Sequence, residues 1–244
     1  MKLVLAAAWI LIGAAVTAAV YWGFLITPES TVWALMVSAV LAVVVLALAG
    51  FTIAGAIAVW WHGASSRAVQ IAARSIPGIV PAALIVALIW WLVHRAEIWI
   101  AMRSGQINAW FIARFGWDDM SWLFTAIGVA AGWLRWVIAA LLAVSLMAAF
   151  AAAGWRALAQ GSWLRRALGA RAIAASTLWF GVLVALPWLY LLPWRPRNLP
   201  PTSIEFAFIA AKLTTAAILF ALGTALIVRE AAAEVPDPEI AQNA

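Results

Sequence analysis

Hydrophobic residues fall in six long runs that are separated by short polar or basic stretches. A transmembrane α-helix needs about 20 consecutive apolar residues, within a range of about 17–25. Four of the runs have this length directly, and the other two are longer. The pattern predicts an all-α, polytopic transmembrane helix bundle with about six spans, at about 4–26, 31–61, 77–94, 120–155, 173–193 and 204–228.

The two longest runs, 31–61 and 120–155, exceed the length that one upright span requires. Such helices must tilt, kink or project beyond the bilayer. Run 120–155 can be one long helix or two short spans, although no turn residues separate its halves. At the boundaries, Ser30 or Thr31 is a suitable N-cap for the second helix, and Pro187 is expected to kink the fifth.

The runs follow one another without a polar domain between them, so residues 1–230 are predicted to form a single transmembrane domain. Residues 231–244 form a short acidic tail that is expected to be flexible. Met1 and Lys2, followed by an apolar run, resemble a cleavable signal peptide. Because the apolar stretch continues to Ile26, an uncleaved first span is the prediction.

Composition supports a bilayer environment. Of the 244 residues, 68% are hydrophobic and 10% are charged, and the mean hydropathy is +1.05. Soluble domains are about 45–50% apolar and about 25% charged. The 18 Trp residues favour an aromatic belt at the membrane interfaces. The chain has no cysteine, which excludes disulfides and thiolate chemistry.

Positive charge is concentrated beside the apolar runs. The formal net charge of +6 therefore indicates topology signals and contact with anionic lipid rather than a nucleic-acid partner. Eight Lys or Arg residues fall on the side of the N-terminus and five on the opposite side. This bias predicts a multi-pass protein of a bacterial-type inner (plasma) membrane, with both termini cytoplasmic.

Two short basic stretches, residues 62–76 and 160–173, form the "basic elbows". In the first, Arg67, Gln70 and Arg74 recur at helical spacing on one face. The second contains Arg165, Arg166 and Arg171 beside apolar residues. Short amphipathic helices of this kind can lie in the interface with their cations on lipid phosphates. A simple topology signal and a docking surface for an acidic partner are the alternatives.

The predicted outer loop, 95–118, mixes aromatic side chains with arginines, and Ser104-Gly105 is expected to divide it. Such a segment should rest on the outer leaflet or pack against another protein. The candidate residues for contact with a partner are Trp99, Trp110, Phe111, Phe115 and Trp117.

Arg135 and Lys212 are the two cations that fall well inside apolar runs. A charge at the membrane centre is costly, and it is a functional hypothesis by default. Arg135 can instead lie at the outer boundary of its span. Lys212 can snorkel outward and share its charge with Glu205, seven residues earlier on the same face. Structural pairing and anion binding are both compatible with this placement.

Groupings needed for catalysis are not evident in the sequence. No Asp or Glu lies deep in a predicted span, and His62 and His94 end consecutive helices at opposite sides. No metal site, cofactor site or nucleophilic triad is therefore predicted. We expect a non-catalytic accessory or anchoring subunit, or a scaffold, of a membrane complex. Its expected partners are membrane lipids and either other membrane-protein subunits or further copies of this chain. The alternative is a transporter or channel for a lipid or small anion.

Overall fold

The computed structural model describes residues 1–27, 31–116, 120–194 and 203–233. These residues are 93% helical, and they contain no strand. The helices are α1 (Lys2–Ile26), α2 (Val32–His62), α3 (Ser66–Ser75), α4 (Ile79–Phe115), α5 (Ser121–Trp133), α6 (Ala139–Ala153), α7 (Arg156–Gln160), α8 (Ser162–Ala167), α9 (Ala170–Phe180) and α10 (Ser203–Ala233).

Six helical rods are long and apolar enough to cross a membrane, which confirms the predicted bundle. Helix α2 is one continuous helix of 31 residues. Helices α5 and α6 belong to one rod, Ser121–Ala153, joined by a π-helical turn at Leu134–Ile138. Run 120–155 is therefore one long helix rather than two short spans. The predicted tail begins within α10, and its residues from 234 onward lie outside the described ranges.

The predicted division of the outer loop at Ser104-Gly105 is wrong. Helix α4 continues unbroken through both residues for 37 residues. An isolated Gly in a helix costs only about 1 kcal/mol relative to Ala, which good helix formers on either side can offset. The helix ends at Gly116, whose φ of 66° lies in the left-handed region and whose N–H donates to the Ile112 carbonyl.

Two boundary predictions have local counterparts in the structure. The backbone N–H of Ala34 donates to Thr31 Oγ1 at 3.2 Å, so Thr31 is the N-cap of α2. Ser30 lies outside the described residues. Around Pro187 the backbone widens into π-helical turns at Gly181–Ala185 and Pro187–Leu191. Proline lacks an N–H and collides with the preceding turn, so a regular α-helix cannot continue through it.

The core lies at one end of the bundle. This "elbow end" is the end that holds α3, α7 and α8, and the "far end" is opposite. Helix α6 is the central element and packs against α2, α3, α4, α8, α9 and α10. Its residues 141–150 are all buried, as are residues 54–59 of α2. The elbow end therefore contains most of the packing that fixes the fold.

Small residues allow close contact between α1 and α2 in this core. The indole N–H of Trp9 donates to the Thr52 carbonyl at 3.1 Å. A Cβ on Gly55 would lie 2.3 Å from the Trp9 indole, and one on Gly13 would lie 2.3 Å from Thr52 Oγ1. Both positions therefore require the absence of a side chain. Membrane helices commonly use small residues in this way.

Apolar side chains at the far end face outward. Val32 and Trp33 of α2, Val129 of α5 and Phe206 of α10 are each at least 68% exposed. In a membrane protein such surfaces contact lipid or another protein, because lipid tails are as apolar as the side chains. The far-end halves of the rods consequently lack the packing seen at the elbow end.

Candidate functional site

Arg135 lies on the π-helical turn and forms an ion pair with Glu97 of α4. The Arg135 Nη2 donates to Glu97 Oε2, and the two side chains are 21% and 34% exposed. The guanidinium also lies 5.5 Å from the centre of the Trp90 ring. The positive charge of Arg135 is thus stabilised by one carboxylate and by the face of one aromatic ring.

Residues that are close in sequence at the π-helical turn contact different helices. Within it, the N–H of Ala139 bonds to the Leu134 carbonyl, five residues back. On one side Trp133 Nε1 donates to Thr177 Oγ1 of α9 at 2.9 Å, while Arg135 reaches α4 on the other. π-Helical turns often occur at functional sites. Here the turn joins the central rod to two of its neighbours.

Sequence reasoning missed Glu97 as the partner of Arg135 because it assigned Glu97 to a loop. Within the continuous helix α4, Glu97 follows Val93 by one turn and Trp90 by two, and Val93 is buried. The spacing i, i+3 and i+7 from Trp90 to Val93 and Glu97 places Glu97 on the core-facing side. A helix predicted across residues 95–100 would have placed Glu97 on the buried face of α4, although its partner on another helix would still follow only from packing.

Lys212 is bound by backbone carbonyls. Its Nζ donates to the carbonyls of Leu192 and Trp194, each at 2.6 Å, and lies 5.3 Å from the Phe208 ring centre. Carbonyls at a helix C-terminus lack partners within the helix, and a nearby cation stabilises them. The expected sharing of charge with Glu205 is replaced by this capping interaction.

The first basic elbow contains the amphipathic helix α3. Ala68, Ala72 and Ser75 are buried against the bundle, while Arg67 and Arg74 are exposed. The N–H of Ala68 donates to Ser65 Oγ, which caps the helix start. The structure therefore places both arginines on the outward side of α3, at the elbow end.

The second basic elbow places its arginines in different surroundings. Arg165 is exposed, whereas Arg166 is half-buried. The side chain of Arg171 is 85% exposed, and its Nε lies 3.9 Å from Glu230 Oε2 of α10. The half-buried Trp163 packs into the core beside these arginines. This elbow is thus anchored by its aromatic residue and leaves cationic groups at the surface.

All the described candidates for partner contact lie on α4, and Trp117 lies outside the described residues. Trp110, Phe111 and Phe115 form one aromatic cluster, with ring centres 4.9–5.7 Å apart. Trp110 and Phe115 are 58% and 51% exposed. Trp99 is separate from this cluster, about 16 Å lower along the helix axis.

The described ranges contain no group of three or more His, Cys, Asp or Glu residues placed to hold a metal ion. Comparison of the chain with protein-family models, curated proteins and solved structures found no match in any of the three. The fold itself defines a multi-pass, all-helical membrane protein.

Proposed function

We propose that this protein is a non-catalytic anchoring or scaffold subunit of a membrane complex, and that the end of α4 with the Trp110, Phe111 and Phe115 cluster, the "α4 tip", binds the partner. The observation that carries the proposal is that the charged and the aromatic candidate site residues lie in different surroundings. Arg135 and Lys212 are occupied by polar groups of the protein, and Trp110 and Phe115 are 58% and 51% exposed at the end of a long helix.

The length of α4 supports this role for its tip. At 1.5 Å per residue, its 37 residues extend about 55 Å, whereas a bilayer with its headgroups is about 40–45 Å thick. Unless the helix is steeply tilted, the Trp110 cluster stands beyond the headgroups. Exposed aromatic groups in water are typical of protein interaction sites, where they become buried.

Lipid binding at the basic elbows belongs to the same proposal. Arg67, Arg74, Arg165 and Arg166 would contact anionic headgroups, with Arg171 shared between lipid and Glu230. The elbow end is proposed to be cytoplasmic in a bacterial-type inner membrane, where anionic lipid attracts basic segments. Other subunits of the complex, or further copies of this chain, are the proposed protein partners.

Native mass spectrometry of protein extracted mildly from its host membrane tests the scaffold proposal. A second polypeptide in fixed stoichiometry is expected with the parent chain. The double variant W110A/F115A should lose it, since these residues provide exposed area at the tip. The matched control is Trp155→Ala, which removes a 62% exposed Trp at the elbow end and should retain the partner. A parent chain that is always alone would contradict the proposal.

Transport of a lipid or small anion is the second candidate, favoured by the charged residue on the π-helical turn. An anion at Arg135 would have to displace Glu97 from the ion pair. In reconstituted vesicles, Arg135→Ala or Lys212→Ala should abolish anion flux if these residues form the site. A measurable flux that is the same in both variants and the parent would exclude that site.

A further inference from the structure

A regular series of Trp and Arg residues follows the exposed face of α4. Trp91, Arg95, Trp99 and Arg103 recur every four residues, and both Trp rings are about half exposed. The Arg95 guanidinium lies 5.6 Å from the Trp91 ring centre, and that of Arg103 lies 4.5 Å from Trp99. Each arginine thus stacks on the aromatic ring one turn before it. These four residues form the "Trp-Arg ladder".

Among the described residues, no neighbouring acid balances the positive charge of the ladder. Glu97 is two residues beyond Arg95, which places it about 200° around the helix. It faces the core and binds Arg135 instead. Within residues 1–27, 31–116, 120–194 and 203–233, no carboxylate forms an ion pair with Arg95 or Arg103. The outward face of α4 is therefore cationic, although the helix also carries an acid.

With Ile79 at the near edge of the hydrocarbon core, the ladder reaches the level of the far headgroup layer. From Ile79 to Arg95 and to Arg103, α4 rises about 24 Å and about 36 Å, and the hydrocarbon core is about 30 Å thick. Trp is enriched at exactly such a boundary because its ring is apolar while its N–H is polar. The Arg135–Glu97 ion pair is about 27 Å from the end of its own rod at Ala153, which agrees with this level.

We propose that the Trp-Arg ladder binds the phosphate groups of anionic phospholipids in the leaflet at the far end. Each guanidinium offers several planar N–H donors, a geometry that matches phosphate oxygens. Stacking on a Trp ring restricts the guanidinium plane and leaves its edge available to a ligand. Arg95 and Arg103 are separated by about 12 Å along the axis, so their long side chains can reach the same phosphate layer from its two sides. This surface is distinct from the basic elbows, which lie at the opposite end.

A fluorescence-quenching experiment in nanodiscs tests this binding. Because the chain has no cysteine, Leu88→Cys introduces a single site for a bimane label at a 54% exposed position, one turn before Trp91 on the same face. Quenching is compared for phosphatidylglycerol and phosphatidylcholine that carry the same acyl-chain nitroxide. The anionic lipid should quench about fivefold more effectively per arginine that binds it. The double variant R95Q/R103Q should reduce the ratio of quenching by phosphatidylglycerol to quenching by phosphatidylcholine to about one.

Two controls separate this binding from other effects. A label at Val43→Cys, a 65% exposed position on the uncharged far half of α2, should give a ratio near one. Gly50 of α2 meets Ile79 of α4, so Val43 and Leu88 lie at similar levels, about 10 Å and about 14 Å beyond that contact. The variant R95K/R103K keeps the positive charge, so its ratio of quenching by the two lipids should stay above one. This variant distinguishes lost binding from misfolding. A parent ratio of one at Leu88→Cys, or a ratio that R95Q/R103Q leaves unchanged, would overturn the proposal. Neither outcome bears on whether the α4 tip binds a protein.

Discussion

At the residue scale, the ion pair between Arg135 and Glu97 allows a direct test of how a charge is tolerated in the bundle. We expect Glu97→Gln to lower the free energy of unfolding by about 1–3 kcal/mol, because it leaves a half-buried guanidinium without its carboxylate. The double variant R135M/E97L should regain most of this loss, since two apolar groups need no pairing. Unfolding in mixed detergent micelles measures both, and a destabilisation that is additive in the double variant would contradict the pairing.

Close contact between α1 and α2 gives a second prediction at this scale. Gly55→Ala should destabilise the protein by about 1–3 kcal/mol, because the new Cβ would overlap the Trp9 indole. Gly23→Ala on α1 is the control, since its Cβ would have no neighbour within 4 Å. That change should be neutral or should stabilise the helix slightly. Equal effects of the two substitutions would show that α1 and α2 do not meet at Gly55.

At the element scale, the continuity of α4 can be measured as a distance. Nitroxides at His94→Cys and Arg114→Cys lie 20 residues apart, which corresponds to a rise of about 30 Å in one unbroken helix. Pulsed electron resonance should give a narrow distribution near that value. Gly105→Pro should broaden and shorten it, because proline breaks the helix, whereas Gly105→Ala should leave it unchanged. A short, broad distribution in the parent chain would indicate the division at Ser104-Gly105.

The sequence predicted the helices better than it predicted their connections. Runs of apolar residues define α1, α2 and α10 because helix length in a bilayer follows from hydropathy. The same criterion failed for α4 beyond His94, where polar residues interrupt the run although the helix continues. Arg135 and Lys212 were identified from sequence as unusual charges. Their partners, Glu97 and the carbonyls of Leu192 and Trp194, depend on packing that no local pattern reveals.

At the scale of the whole molecule, the two ends differ in packing and in the number of Lys and Arg residues. The proposed orientation predicts opposite labelling of two single cysteines in intact cells. Ala113→Cys near the α4 tip should react with a membrane-impermeant maleimide, and Ala64→Cys in the first elbow should react only after permeabilisation. Both positions are exposed in the protein, so access to the reagent decides the result. The reverse pattern would place the elbow end outside the cell.

The unbroken length of α4 also sets the distance between the α4 tip and the membrane. If α4 stands upright and leaves the bilayer near Trp99, Phe115 lies about 24 Å above the membrane surface. A partner bound at the α4 tip is then held at a fixed distance from the membrane. Removing the seven residues Met102–Asn108 would lower the tip by about 10 Å while turning it by only about 20°. The same aromatic face would then lie closer to the membrane by that distance, in nearly the same orientation.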